Sequence, residues 1–167
     1  MMNTQRPRTE IEPTPIDRAL DTLAMMGLLY MVAITVIYYP QLPATIPTHF
    51  NFAGKADDWG PKSTLLLLPV MNVVMYIAFS IIVRFPHTYN YPVKITAENA
   101  EKQYRIGISI IRWLKMEIVC FFAFLTQQII VAVQTKTMSM RPWVPLLFVA
   151  AILITTAVHI VLAYRAK

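Results

Sequence analysis

One histidine and two carboxylates fall within a short polar stretch between the first two apolar runs of the chain, at His49, Asp57 and Asp58. These residue types can bind a metal ion, but their spacing matches no standard set of zinc ligands, and a soft metal would require thiolates. The single cysteine, Cys120, lies far along the chain. The sequence therefore predicts neither a metal site nor a cofactor, and it favours a turn-stabilising role for Asp57 or Asp58 near Gly60.

The sequence offers no combination of residues typical of an enzyme. It contains no nucleophile and base at a plausible spacing, no glycine-rich phosphate-binding loop and no pair of acids of the intramembrane-protease type. We therefore expect a protein without catalytic activity.

A second set of polar residues interrupts the apolar runs, where each costs free energy unless it is paired or hydrated. Asn72, Gln127 and Gln128 are expected at comparable heights, where they could form a small polar site. Alternatively, they form hydrogen bonds between helices, each contributing about 1 kcal/mol. Glu117 and His159 are expected at another level, near Asp21 and Lys115. This group could pass or sense protons, or it could simply form ion pairs at the membrane interface.

Composition places these residues in a membrane protein. The 167 residues are 56% hydrophobic and 14% charged, with a mean hydropathy of +0.50, whereas about a quarter of the residues of a soluble domain are charged. Four runs are long and apolar enough to span a bilayer, at about 20–39, 63–84, 113–134 and 143–164. The predicted fold is an all-α, four-transmembrane-helix bundle, with a flexible segment at 1–18 followed by a single membrane domain at 19–167.

The third span has an uncertain beginning. Lys115 and Glu117 fall in its first turns, and they can lie at the headgroup boundary only if Lys115 extends its ammonium group toward the cytoplasm. The preceding stretch from Thr96 could lie on anionic headgroups as an amphipathic helix, or it could continue directly into the third span.

The distribution of positive charge predicts the orientation in the membrane. Basic residues concentrate before the first span, between the second and third spans and at the end of the chain, so both termini are expected in the cytoplasm. The net charge of +6 is then explained by the basic residues that flank the spans on the cytoplasmic side. We do not expect nucleic-acid binding, because the basic residues are dispersed around helix ends.

The segment at 40–62 combines prolines and glycines with aromatic side chains. This composition is typical of an ordered cap on the membrane domain, and we expect Trp59 to be buried there. The residues that define the motif are Pro43, Pro47, His49, Phe50, Asn51, Gly54, Asp57, Asp58, Trp59, Gly60 and Lys62.

This motif, together with the apolar helix that contains Pro69, resembles a bacterial integral membrane family of unknown function. The domain of that family forms the N-terminal part of the SdpI-like bacteriocin immunity proteins. The resemblance covers residues 23–75 most clearly. It implies a multi-pass protein of the bacterial cytoplasmic membrane.

Two functions follow as expectations. The first is a binding, sensing or immunity-type factor that recognises a peptide, a toxin or an envelope component, with His49, Phe50, Asn51 and Trp59 as the recognition surface. The second is a small transporter or channel subunit that uses the intramembrane polar residues. Its four short spans would require a homo-oligomer to enclose a path. In both cases the lipid bilayer is the principal partner.

Overall fold

The computed structural model describes residues 6–137, 139 and 141–167, and four long helices dominate it. They are α1 (Pro15–Tyr38), α2 (Leu67–Ile82), α3 (Ala100–Gln134) and α4 (Trp143–Arg165). A 3₁₀ turn at Lys62–Leu66 extends α2 at its beginning. Each helix is long and apolar enough to cross a membrane. The predicted four-helix membrane architecture is therefore confirmed, and the chain is a multi-pass membrane protein.

The segment between α1 and α2 folds as an antiparallel hairpin of β1 (Thr45–Phe50) and β2 (Ala56–Pro61). The pairing register of the two strands shifts between Pro47 and His49. Such irregular positions can accommodate a proline, which cannot donate a hydrogen bond to the sheet. At its base, Leu42 and Ile46 join Leu65 and Ile130 in one buried cluster. This apolar contact attaches the hairpin to the helices, so the predicted ordered loop is a two-stranded structure.

The long helix α3 is the centre of the bundle and packs against α1, α2 and α4. It runs without interruption for 35 residues. Of the two alternatives for the stretch after Thr96, the structure shows the helix that continues directly into the third span.

Both described ends of the chain lie at one end of the bundle, which we call the terminal end. There the Gln103 amide donates to the carbonyls of Ala163 and Ala166, at 2.8 and 3.0 Å. The Tyr104 hydroxyl donates to the Pro7 carbonyl at 2.9 Å. The β1–β2 hairpin occupies the opposite end, which we call the hairpin end.

Of the segment at 1–18 that is expected from the sequence to be flexible, residues 1–5 lie outside the described residues, and residues 6–18 are placed as follows. The first helix begins at Pro15, where Thr14 and Asp17 form a capping box. Before it, the Arg6 guanidinium donates to the carbonyls of His87 and Tyr89. Residues 6–14 are thus connected to the α2–α3 loop by polar contacts that the sequence did not indicate.

Candidate functional site

A cleft of about 370 Å³ lies between the hairpin and the beginning of α4. On one side it is lined by the hairpin residues that the sequence singled out, and on the other by the first turn of α4. We call this the hairpin cleft, and its lining residues are His49, Phe50, Asn51, Phe52, Asp57, Pro142, Pro145 and Leu146. Three of the four predicted recognition residues, His49, Phe50 and Asn51, thus line one cleft, and Trp59 does not.

The polar group of the hairpin cleft is the pair formed by His49 and Asp57. The Nδ1 atom of His49 lies 2.5 Å from the Asp57 carboxylate, and both side chains are largely accessible to solvent. This contact fixes the ring across the two strands. Asp58 is not part of the pair, because its carboxylate accepts from the backbone N–H of Trp59 at 2.8 Å.

The turn between the strands depends on Asn51 and Gly54. The Asn51 side-chain oxygen accepts from the backbone N–H groups of Ala53 and Lys55, at 3.0 and 3.1 Å. Gly54 has a φ of 76°, a conformation that glycine adopts without steric cost. The Asn51 oxygen is therefore engaged in forming the turn.

Three further motif residues hold the base of the hairpin. Pro47 is fully buried, and a Cβ atom at Gly60 would lie 2.9 Å from the Thr48 methyl group, so this position has no room for a side chain. The Lys62 ammonium donates to the carbonyls of Tyr39 and Leu42, at 3.3 and 3.2 Å. Pro43 is exposed and lines a separate surface depression.

The expectation that Trp59 is buried is wrong. Its side chain is 45% exposed, and Phe52 at the turn is fully exposed. The burial that anchors the segment comes from the aliphatic residues Leu42 and Ile46. Strand β2 is largely accessible, so an aromatic ring on it lies at the surface.

The predicted polar site of Asn72, Gln127 and Gln128 does not form as one cluster. Asn72 is completely buried and donates to the Met31 sulfur at 2.9 Å and to the Val119 carbonyl at 3.3 Å. Gln127 is exposed and Gln128 is half-buried. Asn72 instead connects α1, α2 and α3, as the hydrogen-bonding alternative describes.

Four charged residues form a cluster between α1 and α3, in which Asp17, Arg112 and Lys115 are buried and the Asp21 side chain is 38% exposed. Arg112 lies 3.0 Å from Asp17 and 3.4 Å from Asp21, and Lys115 lies 2.7 Å from Asp21. Lys115 also contacts the Ser80 hydroxyl at 3.3 Å. The Lys115–Asp21 contact is an ion pair of the kind that the second alternative describes for these two residues, and it lies inside the bundle. Asp17 and Arg112 were not identified from the sequence as members of this cluster. Their spacing was a usable signal, because Asp17 and Asp21 are four residues apart on α1 and Arg112 and Lys115 are three apart on α3, so each pair lies on one face of its helix.

Glu117 and His159 lie in the α3–α4 interface, apart from that cluster. The Thr155 hydroxyl donates to the Glu117 carboxylate at 2.6 Å, and His159 Nδ1 lies 2.8 Å from the Thr155 carbonyl. The Ser109 hydroxyl lies 3.1 Å from His159 Nε2. The sequence expected all four groups together, but α3 separates Glu117 and His159 from Asp21 and Lys115.

Tyrosines close the α2–α3 loop against α3 at the terminal end. Tyr89 donates to the Ile82 carbonyl and Tyr91 donates to the Pro86 carbonyl. Burial raises the pKa of Tyr89 to about 12. Burial, with the neighbouring phenols of Tyr89 and Tyr104, also raises the pKa of Tyr91. Both loop phenols therefore stay neutral at physiological pH.

Among the residues that the structure describes, no group of three or more His, Cys, Asp and Glu side chains is arranged to hold a metal ion. The hairpin cleft contributes two such residues, His49 and Asp57. That the protein uses no metal and no cofactor stays a prediction.

Comparison with known proteins locates the recognisable part of the chain. Residues 26–73 match the family model of a domain of unknown function, DUF1648. This range contains the second half of α1, the hairpin and the first two turns of α2. The chain is also 30% identical over 93 residues to an uncharacterized protein of Archaeoglobus fulgidus, in an alignment that covers 49% of this chain and 51% of the relative. The chain thus spans about half the length of that relative. No solved structure matches the chain.

Proposed function

We propose that this protein is a non-enzymatic binding, sensing or immunity-type factor of the bacterial cytoplasmic membrane, and that it recognises a peptide or an envelope component in the hairpin cleft. The observation that carries this proposal is the cleft itself, about 370 Å³ in volume and lined by His49, Phe50, Phe52 and Asp57. In this proposal both termini are cytoplasmic and the hairpin faces the cell exterior.

The chemistry of the cleft favours a peptide with an apolar side chain next to a cationic one. The rings of Phe50 and Phe52 and the α4 residues Pro145 and Leu146 provide apolar walls. The Asp57 carboxylate provides an acceptor for an ammonium or guanidinium group.

The hairpin is also rigid enough to serve as a preformed surface. Lys62, Ile46 and Pro47 anchor its base, and the Asn51 side chain fixes its turn. A preorganised surface loses little conformational entropy on binding, which raises affinity. The family match over residues 26–73 includes this hairpin and supports its importance.

The experiment is a calorimetric binding titration. The full chain in lipid nanodiscs is titrated with cationic amphipathic peptides of the bacteriocin type. We expect Phe52→Ala and Asp57→Asn to weaken binding at least tenfold, equal to about 1.4 kcal/mol. Val149→Ala, at an exposed position on α4, is the control and should bind as wild type. Equal affinities for all four proteins would contradict the proposal.

The alternative function, a small oligomeric transporter or channel subunit, is favoured by the charged and polar side chains buried on two sides of α3. The two functions separate in one assay of protection or ligand response at matched membrane levels. If His49→Ala and Asn51→Ala behave as wild type while Glu117→Gln abolishes the response, the transport function is the better account.

A further inference from the structure

The α3–α4 interface buries an acid in the middle of the membrane domain. Glu117 is 7% exposed, and its partner Thr155 lies about 15 to 18 Å from the two ends of α4 at 1.5 Å per residue. One carboxylate oxygen accepts from the Thr155 hydroxyl at 2.6 Å. The other oxygen, Oε2, is buried and has no hydrogen-bond partner among residues 6–137, 139 and 141–167.

An anion in this position is unfavourable. A buried carboxylate needs several hydrogen bonds or a countercharge, and Glu117 has one neutral donor. The nearest basic residue along α3, Lys115, is engaged with Asp21 on the side facing α1. Binding a proton to the carboxylate removes this charge.

His159 connects this acid to the terminal end. It lies one turn beyond Thr155 on α4, and it lines a mostly apolar cleft of about 210 Å³ between the α2–α3 loop and the α3–α4 interface. Glu117 does not line that cleft. Because a carbonyl only accepts, Nδ1 donates to the Thr155 carbonyl, and Nε2 of the neutral ring accepts from Ser109.

We propose that Glu117 is a proton-binding site inside the membrane domain, loaded from the terminal end through His159 and Thr155. A proton from water in the cleft adds to His159 Nε2, and the Ser109 hydroxyl then accepts from it. The imidazolium Nδ1–H turns from the Thr155 carbonyl to the hydroxyl of the same residue. The hydroxyl takes that proton and releases its own to Oε1 of Glu117, the oxygen to which it is hydrogen-bonded. This leaves a neutral ring protonated at Nε2 and a neutral carboxyl whose O–H now donates to the Thr155 hydroxyl oxygen.

The charged and titratable groups around this site are few. Tyr89 and Tyr91, in the α2–α3 loop, line the same cleft of about 210 Å³ as His159, and His159 is the titratable residue that α4 contributes to it. Asp17, Asp21, Arg112 and Lys115 lie between α1 and α3 and are paired with one another. The proposal does not depend on hairpin recognition, so either can fail without the other.

The test is infrared difference spectroscopy of the full chain in nanodiscs on a pH change between about 8 and 5, the range in which histidine charge changes. We expect a carbonyl band of a protonated carboxyl that shifts to lower frequency in D₂O. Glu117→Gln should remove this band, whereas Thr155→Val should shift its frequency, because the carboxyl loses its hydrogen bond. Glu101→Gln removes an exposed carboxylate from the same helix and should leave the band unchanged.

The route is tested separately by stopped-flow proton uptake with a pH-sensitive dye. His159→Gln should slow uptake at least tenfold, while the infrared band of the protonated Glu117 carboxyl reaches the same final intensity as in wild type. A band that persists in Glu117→Gln, or an unchanged uptake rate in His159→Gln, would overturn the proposal. So would a band absent from wild type but replaced by a sodium-dependent rise in thermal stability, since the ligand would then be a cation. If Glu117→Gln does not fold, the frequency shift in Thr155→Val decides.

Discussion

The Lys115 ammonium lies 2.7 Å from the Asp21 carboxylate and is almost completely buried between α1 and α3. Arg112, one turn away on α3, contacts both Asp21 and Asp17. Two acids on one helix and two bases on the other thus compensate each other within the bundle. Because an uncompensated charge in this environment is costly, a shift of α1 along α3 that separated these pairs would be unfavourable.

We predict that Asp21→Asn destabilises the protein by about 3 to 5 kcal/mol, because it leaves the Lys115 ammonium buried without its anion. Thermal unfolding in detergent measures the change. The double variant Asp21→Asn, Lys115→Met should lose less than the sum of the two single variants. Glu101→Gln, in an exposed ion pair, is the control and should cost at most about 1 kcal/mol. Additive effects of the two cluster variants would show that the pair is not coupled.

Gly107 is the position where α3 meets the loop tyrosines most closely. A Cβ atom there would lie 2.7 Å from the Tyr91 hydroxyl and 3.0 Å from the Tyr89 ring. We expect Gly107→Ala to destabilise by about 1 to 3 kcal/mol, because both rings are held by hydrogen bonds and cannot move freely.

The matched control for that substitution is Gly27→Ala in α1. There the new Cβ would meet the Val119 methyl at 3.3 Å, and the gain in helix propensity of up to about 1 kcal/mol offsets the tighter contact. We expect a change near zero in the same unfolding assay. Equal losses at both positions would mean that the tyrosine contact is not the cause.

The sequence predicted the elements better than their contacts. Hydropathy identified the four helices because a bilayer imposes length and composition on each of them separately. For Lys115 the sequence left two alternatives open, extension to the membrane surface and pairing with Asp21, because both place a lysine at the same position. Only the acid stripe on the facing helix decides between them, and a single helix does not reveal which helix it faces.

The sequence indicated the hairpin residues that line the hairpin cleft but not the α4 residues that form its other wall. His49 and Asp57 belong to a local segment whose turn residues are visible in the sequence. Pro145 and Leu146 come from α4, nearly one hundred residues later, and nothing local connects them to the hairpin. Trp59 was misplaced because aromatic character alone does not distinguish a buried ring from an exposed one.

The stability of the hairpin should depend on its aliphatic base and not on its aromatic tip. We expect Ile46→Ala to cost about 2 to 5 kcal/mol, since this side chain is 1% exposed. Phe52→Ala should leave the melting temperature in detergent unchanged, and Trp59→Ala should cost less than the 3 to 5 kcal/mol typical of a fully buried Trp. A large loss in Phe52→Ala would show that the tip packs against the protein.

The loop tyrosines predict a loss of stability in alkali. The pKa of Tyr89 is about 12 in the folded protein, above its ordinary value near 10, so the unfolded chain releases the phenol proton first as pH rises. The stabilisation from the neutral phenol is therefore complete below about pH 10 and decreases as pH rises toward 12. Unfolding temperatures measured across this range should fall less steeply in Tyr89→Phe than in wild type. Parallel curves would exclude this phenol as a cause.

The orientation in the membrane can be decided by cysteine labelling in intact cells. The terminal end carries the larger number of Lys and Arg residues, so we expect it in the cytoplasm and the hairpin outside. A cysteine at Ala53, which is exposed in the hairpin turn, should react with an impermeant maleimide added from outside, in a background where Cys120 is replaced by Ala. A cysteine at Lys94, in the α2–α3 loop at the other end, should react only after the cells are permeabilised. The reverse pattern would place the hairpin cleft in the cytoplasm, and a peptide arriving from outside could not then be its ligand.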